Sequence, residues 1–197
     1  MANSFARTSS RADLIAYVDE DDPADYDFDL PRVTIRRGPR IGTVAVCNEL
    51  AKIASYRAYG MVPDDSEFLT ERWDDYVVRA IDELPKHVGV VSPHHNLGVH
   101  VDMPFVSREW IDATGWFAYP KAFHWVWPII TGLIGDISQC LVRAGEQEFS
   151  IKHLGTTTVG QPLECQESDI REFFFFVALE NDERLPCVVE RVREAMR

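Results

Sequence analysis

The side chains best suited to metal or acid–base chemistry lie close together in mid-chain: His94, His95, His100 and Asp102. Imidazole and carboxylate groups are common ligands of first-row metals, and two histidines with one carboxylate form one known set. On a strand, His100 and Asp102 point to the same face, and a turn at 92–96 can bring His94 and His95 beside them. One hypothesis for these four residues is therefore the metal site of a small metal-assisted hydrolase. The other interpretation is a hairpin tip with solvated histidines, because the spacing matches no established metal signature.

Other catalytic patterns are absent from the sequence, which contains no GxSxG, SxxK, HExxH or GxGxxG motif. Residues 155–161 have the glycine spacing of a phosphate loop, but Gln161 stands where the lysine must be. We therefore expect no cofactor, and the sequence favours a non-enzymatic protein over an enzyme. The four cysteines are Cys47, Cys140, Cys165 and Cys187. They form no CxxC pair, so we predict buried free thiols and a reducing, cytoplasmic location.

The strongest compositional feature is an acidic tract with carboxylates at seven of the eleven positions from 19 to 29. Its candidate partner-binding residues are Asp19, Glu20, Asp21, Asp22, Asp25, Tyr26, Asp27, Phe28 and Asp29. Carboxylates next to aromatic rings favour docking of a basic protein, because charge speeds encounter and desolvated apolar contacts anchor the complex. A solvated loop is the alternative. A calcium loop is disfavoured, since Leu30 stands where an EF-hand needs glycine.

The formal net charge of -12 points to the same class of partner. A protein this acidic repels nucleic acid and anionic lipid and attracts cationic proteins. The longest apolar stretch, around 123–137, is interrupted by Pro128 and Gly132, so we expect no membrane span.

The segment 116–127 is unusually aromatic and contains Phe123, Trp125 and Trp127. Read as a strand, it places these three rings on one face. Burial in the core is one interpretation, and a platform for a second chain, including a homo-oligomer, is the other.

The helices and strands that position these residues are predicted from hydrophobic periodicity and from the residues that typically begin or end such elements. Helices are expected at 43–59, 64–84, 107–114, 128–144 and 186–196. Strands are expected at 13–18 (or a helical turn there), 32–37, 87–91, 97–103, 116–127, 148–154, 156–163 and 170–179. Helices and strands are partly segregated, which predicts an α+β fold with a mostly antiparallel sheet of about five strands and about four or five helices.

The length of 197 residues predicts one domain over 13–197, preceded by a flexible tail over 1–12. Small size, acidity and the lack of a catalytic signature together favour a non-enzymatic interaction protein of bacterial type. Such a protein, immunity- or inhibitor-like, binds and neutralises a basic partner such as a toxin domain. The metal-assisted hydrolase and a structural or assembly subunit remain the alternatives.

Overall fold

A computed structural model describes residues 1–26, 29–53, 55–96, 101–122, 126–154 and 184–197. Within these ranges the chain has an α+β fold, as the sequence predicts. The described helices are α1 (Ala2–Thr8), α2 (Thr43–Leu50), α3 (Trp73–Asp82), α4 (Arg108–Thr114), α5 (Val126–Ser138) and α6 (Arg184–Met196). The described strands are β1 (Leu14–Asp19), β2 (Val33–Gly38), β3 (Ala58–Gly60), β4 (Ser66–Phe68), β5 (Val90–Ser92), β6 (His94–His95), β7 (Phe105–Ser107), β8 (Leu141–Arg143) and β9 (Ser150–His153).

The strands of the described ranges form three sheets, in the orders β1-β2, β3-β7-β5-β8 and β4-β9-β6. β7 is antiparallel to both β3 and β5, whereas β8 runs parallel to β5. β9 is antiparallel to β4 and parallel to β6. The sheets are therefore mixed, and the prediction of a mostly antiparallel sheet of about five strands is wrong. Sequence periodicity reports which faces are buried but carries no information on strand direction.

The four-stranded sheet lies between two hydrophobic clusters, because successive side chains of a strand point to opposite faces. Val90 and Val106 pack with α2, α4, α5 and α6 in the first cluster. Val91 and Phe105 pack with α1 and α3 in the second. The β1–β2 pair, called the ribbon below, lies at the margin of the second cluster, against which its Leu14 and Val33 pack.

Several predicted elements are confirmed within one or two residues. Ser107 caps α4 by accepting a hydrogen bond from the Trp110 backbone N–H at 3.0 Å, and Gly115 ends it with a φ of 85°. The predicted strands at 32–37 and 148–154 correspond to β2 and β9, and the predicted C-terminal helix corresponds to α6. The predicted strands at 156–163 and 170–179 lie outside the described residues.

Three predicted helices are shorter than expected. The helix expected over 128–144 ends at Ser138, and Leu141–Arg143 pairs with β5. The helix expected from residue 64 begins only at Trp73, because Ser66–Phe68 pairs with β9 instead. The helix expected over 43–59 ends at Leu50, and Ala58–Gly60 pairs with β7. In all three places pairing with a distant strand overrides a local helical pattern.

The prediction of an aromatic strand over 116–127 is also wrong. Trp127 lies on α5, fully buried, with its ring centroid 5.4 Å from that of Phe117. Residues 116–122 form turns held by Asn48, whose side-chain oxygen accepts from the N–H groups of Phe117 and Ala118 at 2.9 and 3.0 Å. Phe123 and Trp125 lie outside the described residues. Trp127 belongs to the core, which agrees with the packing interpretation for this ring.

The N-terminal segment also differs from the predicted flexible tail over 1–12. Residues Ala2–Thr8 form α1, whose Phe5 is 2% exposed and packs on Phe68 and Trp73. The chain after α1 is held by Asp74, whose carboxylate accepts backbone N–H groups from residues 10, 11 and 12 at 2.6–2.9 Å. One buried ring and one buried carboxylate thus fix a segment whose composition suggested a loose end.

Candidate protein-interaction surface

The acidic tract follows β1 directly and forms the connection from β1 to β2. We call residues 19–29 the acidic loop; its residues 27 and 28 lie outside the described ranges. β1 and β2 run parallel in the register Leu14↔Val33 to Asp19↔Gly38, so the connection must return to the start of the ribbon. This topology places a long, charged connection beside the arginine-rich second strand.

Arg40 neutralises the first part of the acidic loop. Its guanidinium lies 3.2 Å from the Asp19 carboxylate and 3.0 Å from that of Asp21. The hydrogen bond from Arg40 is the main reason that the pKa of the Asp21 carboxyl is below its ordinary value. Both partners of the Arg40–Asp21 pair stay more than half exposed, at 66% and 61% of their side-chain surface. Such an exposed pair fixes geometry more than it adds stability.

Arg37 holds the middle of the acidic loop through backbone oxygens. It donates to the carbonyl oxygen of Asp22 at 3.0 Å and to that of Ala24. The Asp22 carboxylate in turn accepts the Ala24 N–H at 2.9 Å and the Tyr26 hydroxyl at 3.2 Å. The hydrogen bond to Asp22 raises the pKa of Tyr26 above its ordinary value. The first half of the loop therefore has a defined conformation despite its exposure.

Three exposed carboxylates of the acidic loop form no ion pair with another described residue. Glu20, Asp25 and Asp29 are exposed, as is the ring of Tyr26 at 38%. Of the predicted partner-binding residues, those from Asp19 to Tyr26 lie on one continuous connection, with Asp29 at its far side. Asp27 and Phe28 lie outside the described residues. The arrangement presents negative charge and one aromatic ring to solvent.

The base of the ribbon is attached to the N-terminal segment. Arg32 donates to the carbonyl oxygens of Ser10 at 2.6 Å and Ser9 at 2.9 Å. At the other end, the Tyr17 hydroxyl donates to the Pro39 carbonyl oxygen at 2.8 Å. A Cβ at Gly38 would lie 2.4 Å from that hydroxyl oxygen, so glycine allows the Tyr17 side chain to cross β2. These contacts fix the ribbon from which the acidic loop projects.

The candidate metal ligands are placed differently from the predicted hairpin. His94 and His95 form β6, which pairs with β9, and Asp102 lies in an irregular segment before β7. His100 lies outside the described residues. Across the described ranges, no three His, Cys, Asp or Glu side chains are grouped closely enough to hold a metal ion. The strand β9 instead contributes His153, whose Nε2 lies 3.3 Å from the Asp65 carboxylate.

Sequence reasoning missed Arg37 and Arg40 as parts of the candidate site. The signal was present, because four arginines at 32, 36, 37 and 40 directly follow the acidic tract. Which of them reach back to the loop depends on the parallel register of the ribbon. That register cannot be derived from the local pattern.

No family model, curated protein or solved structure matches this chain. None of the helices in the described part of the chain combines the length and apolarity needed to cross a bilayer. The functional conclusion therefore rests on the acidic loop and the ribbon that carries it.

Proposed function

We propose that this chain is a non-enzymatic, cytoplasmic interaction protein that binds and neutralises a basic protein partner, in the manner of an immunity protein or inhibitor. The acidic loop is the binding surface. The observation that carries the proposal is a group of exposed carboxylates that form no ion pair with another described residue, on a loop that Arg37 and Arg40 hold in place. These carboxylates are Glu20, Asp25 and Asp29.

Charge supports a role in encounter with a cationic surface. The chain carries a formal net charge of -12, and the acidic loop concentrates seven carboxylates in eleven consecutive positions. Complementary charge raises association rates, and its effect falls with ionic strength. Rim charges of this kind contribute more to the speed of association than to the lifetime of the complex.

The contacts of Arg37 and Arg40 support the proposal because they preorganise the acidic loop for binding. A free acidic tract repels itself and stays extended, and ordering it on binding costs conformational entropy. Arg37 and Arg40 order the loop in the unbound protein, with contacts to Asp22, Ala24, Asp19 and Asp21. The loop therefore loses less conformational entropy when the partner binds. The exposed Tyr26 ring offers an apolar contact to the partner.

Affinity capture with matched variants tests this proposal. The first variant carries Glu20→Gln, Asp25→Asn and Asp29→Asn. The control carries Asp112→Asn, Glu146→Gln and Glu194→Gln, three exposed carboxylates elsewhere on the chain. Both variants change the net charge by the same amount. A difference in the amount of partner that they capture therefore shows that the position of the carboxylates matters.

We expect the unchanged protein and the control variant to capture the same basic protein from the source cell at low salt. The loop variant should lose most of that capture. Equal capture by all three proteins, or capture of acidic proteins only, would contradict the proposed function.

A further inference from the structure

The outer edge of β1 has backbone groups that point away from its partner strand. The Leu14 N–H donates to the Arg32 carbonyl oxygen at 2.8 Å, and the Glu20 N–H donates to that of Gly38 at 2.7 Å. Since hydrogen bonding alternates along a strand, positions 14, 16, 18 and 20 bond to β2 while Ile15 and Tyr17 face outward. Among the described residues, no group accepts a hydrogen bond from the N–H of Ile15 or Tyr17.

Two features make this edge suited to pairing. An uncovered edge strand is a ready template for another extended chain. A two-stranded sheet is marginal by itself and gains from a third strand. The ribbon has two strands in the described part of the chain, and every residue of β1 is only half-buried.

The charges around the ribbon distinguish its two edges. At the end of β1 lie Asp19 and the exposed Glu20, and the rest of the acidic loop follows. β2 instead exposes Arg36 and Arg37. Arg40 pairs with Asp19, so the negative charge that remains for a partner at this end of β1 is that of Glu20. It attracts a cationic segment, whereas the exposed Arg36 on β2 repels one.

From this geometry we infer that the basic partner adds an extended, lysine- or arginine-rich segment as a strand along the outer edge of β1. Backbone hydrogen bonds to Ile15 and Tyr17 supply affinity, and the exposed carboxylates Glu20, Asp25 and Asp29 select cationic side chains. This inference rests on the proposed function and names the part of the partner that the acidic loop receives.

Amide hydrogen exchange with a defined probe tests the inference. The probe is an end-blocked peptide of eight residues that alternates lysine with threonine, used at about 1 mM. The matched probe has two threonines replaced by proline, which keeps the charge and removes backbone donors. We expect the first probe to slow exchange at Ile15 and Tyr17 by at least about tenfold and the proline probe to leave it unchanged. Exchange at Ile35 and Arg37, on the opposite edge, should not respond to either probe.

A pair of proline variants provides an independent measurement. Ile15→Pro removes an outward N–H, which a strand edge tolerates, and should abolish binding of the lysine–threonine peptide while the protein stays folded. Ala16→Pro removes an N–H that bonds to β2 and should lower the melting temperature instead. Unchanged peptide binding by folded Ile15→Pro protein would overturn the inference.

The outcomes separate this inference from the proposed function. If both probes bind equally and salt weakens both, the acidic loop binds cations but the edge does not pair, so only the inference fails. If neither probe binds or protects an amide, the inference fails as well, and the capture experiment decides the proposed function. Slow exchange at Ile15 and Tyr17 in the free protein would also overturn the inference, because the edge is then already covered by this chain or a second copy.

Discussion

Arg40 donates a hydrogen bond to Asp21 at 3.0 Å although 19 positions separate them along the chain. The contact joins the segment after β2 to the acidic loop after β1. It converts a run of like charges into a loop with a fixed first half, which is the physical basis of the binding surface proposed above.

Replacing Arg40 should release Asp21. In Arg40→Gln the pKa of the Asp21 carboxyl should rise toward its ordinary value, because the hydrogen bond and the positive charge that lower it are removed. Carboxyl chemical shifts recorded through a pH titration measure this change. Arg36→Gln is the control, since Arg36 is exposed on β2 and forms no ion pair among the described residues. Equal Asp21 titration in both variants would show that Arg40 does not hold the loop.

Asp74 should make a large, pH-dependent contribution to stability. Asp74→Asn places an NH₂ donor against the backbone N–H groups that the carboxylate accepts, and should cost about 3 kcal/mol at neutral pH. Burial acts to raise the pKa of Asp74, but the hydrogen bonds outweigh it and the pKa is lowered. The contribution is therefore full above the usual value of 3.8 and is lost as the pH falls through the lower folded pKa.

Urea unfolding at neutral pH and near pH 3 measures the contribution of Asp74. The neighbouring Asp75→Asn is the control, because Asp75 pairs at the surface with Arg11 and Arg72 and should change stability by less than about 1 kcal/mol. A stability difference between Asp74→Asn and the unchanged protein that is the same at both pH values would contradict the prediction.

Trp127 should be a core residue rather than part of an interaction platform. It is fully buried and packs edge-on against Phe117. Trp127→Ala should lower the free energy of unfolding by about 3–5 kcal/mol, whereas Trp127→Phe keeps a ring and should cost less. Thermal unfolding of both variants measures the effect. A Trp127→Ala protein that keeps its melting temperature and loses a partner would favour the platform interpretation.

The cysteines should differ sharply in reactivity. Burial raises the pKa of Cys47 and of Cys140 to about 12, while Cys187 is exposed. The prediction of buried thiols is therefore wrong for Cys187, and Cys165 lies outside the described residues. Native protein treated with a thiol reagent near pH 8 should react at Cys187 and leave Cys47 and Cys140 unmodified until it unfolds. Peptide mapping locates the label, and Cys187→Ser serves as the control. Rapid labelling of Cys47 in the folded protein would contradict its placement in the core.

A helix whose start and end are set by its own capping residues was predictable from the sequence. The cap at Ser107 and the glycine at 115 act within one turn of α4, so local chemistry determines that helix. By contrast, Asp64 and Glu67 have the spacing of a capping box, yet Ser66 pairs with His153 of β9. A helix signal within one segment carries no information about a competing strand far along the chain.

The same distinction applies to the candidate site. The acidic character of residues 19–29 is readable directly, and exposure of Glu20 and Asp25 follows from it. The contacts of Arg37 and Arg40 depend on the parallel pairing of β1 with β2, in which Asp19 lies opposite Gly38. Parallel pairing across a long connection is a non-local outcome, so the sequence predicted the charge of the surface but not what orders it.

The association rate of the captured basic partner, measured at about 20 mM and about 300 mM salt, tests the central claim most directly. The variant with Glu20→Gln, Asp25→Asn and Asp29→Asn should associate about tenfold more slowly than the unchanged protein at low salt, and the two should converge at high salt. The control with Asp112→Asn, Glu146→Gln and Glu194→Gln should keep most of the original rate. An unchanged low-salt rate for the loop variant would mean that the acidic loop is a solvated connection and not a binding surface.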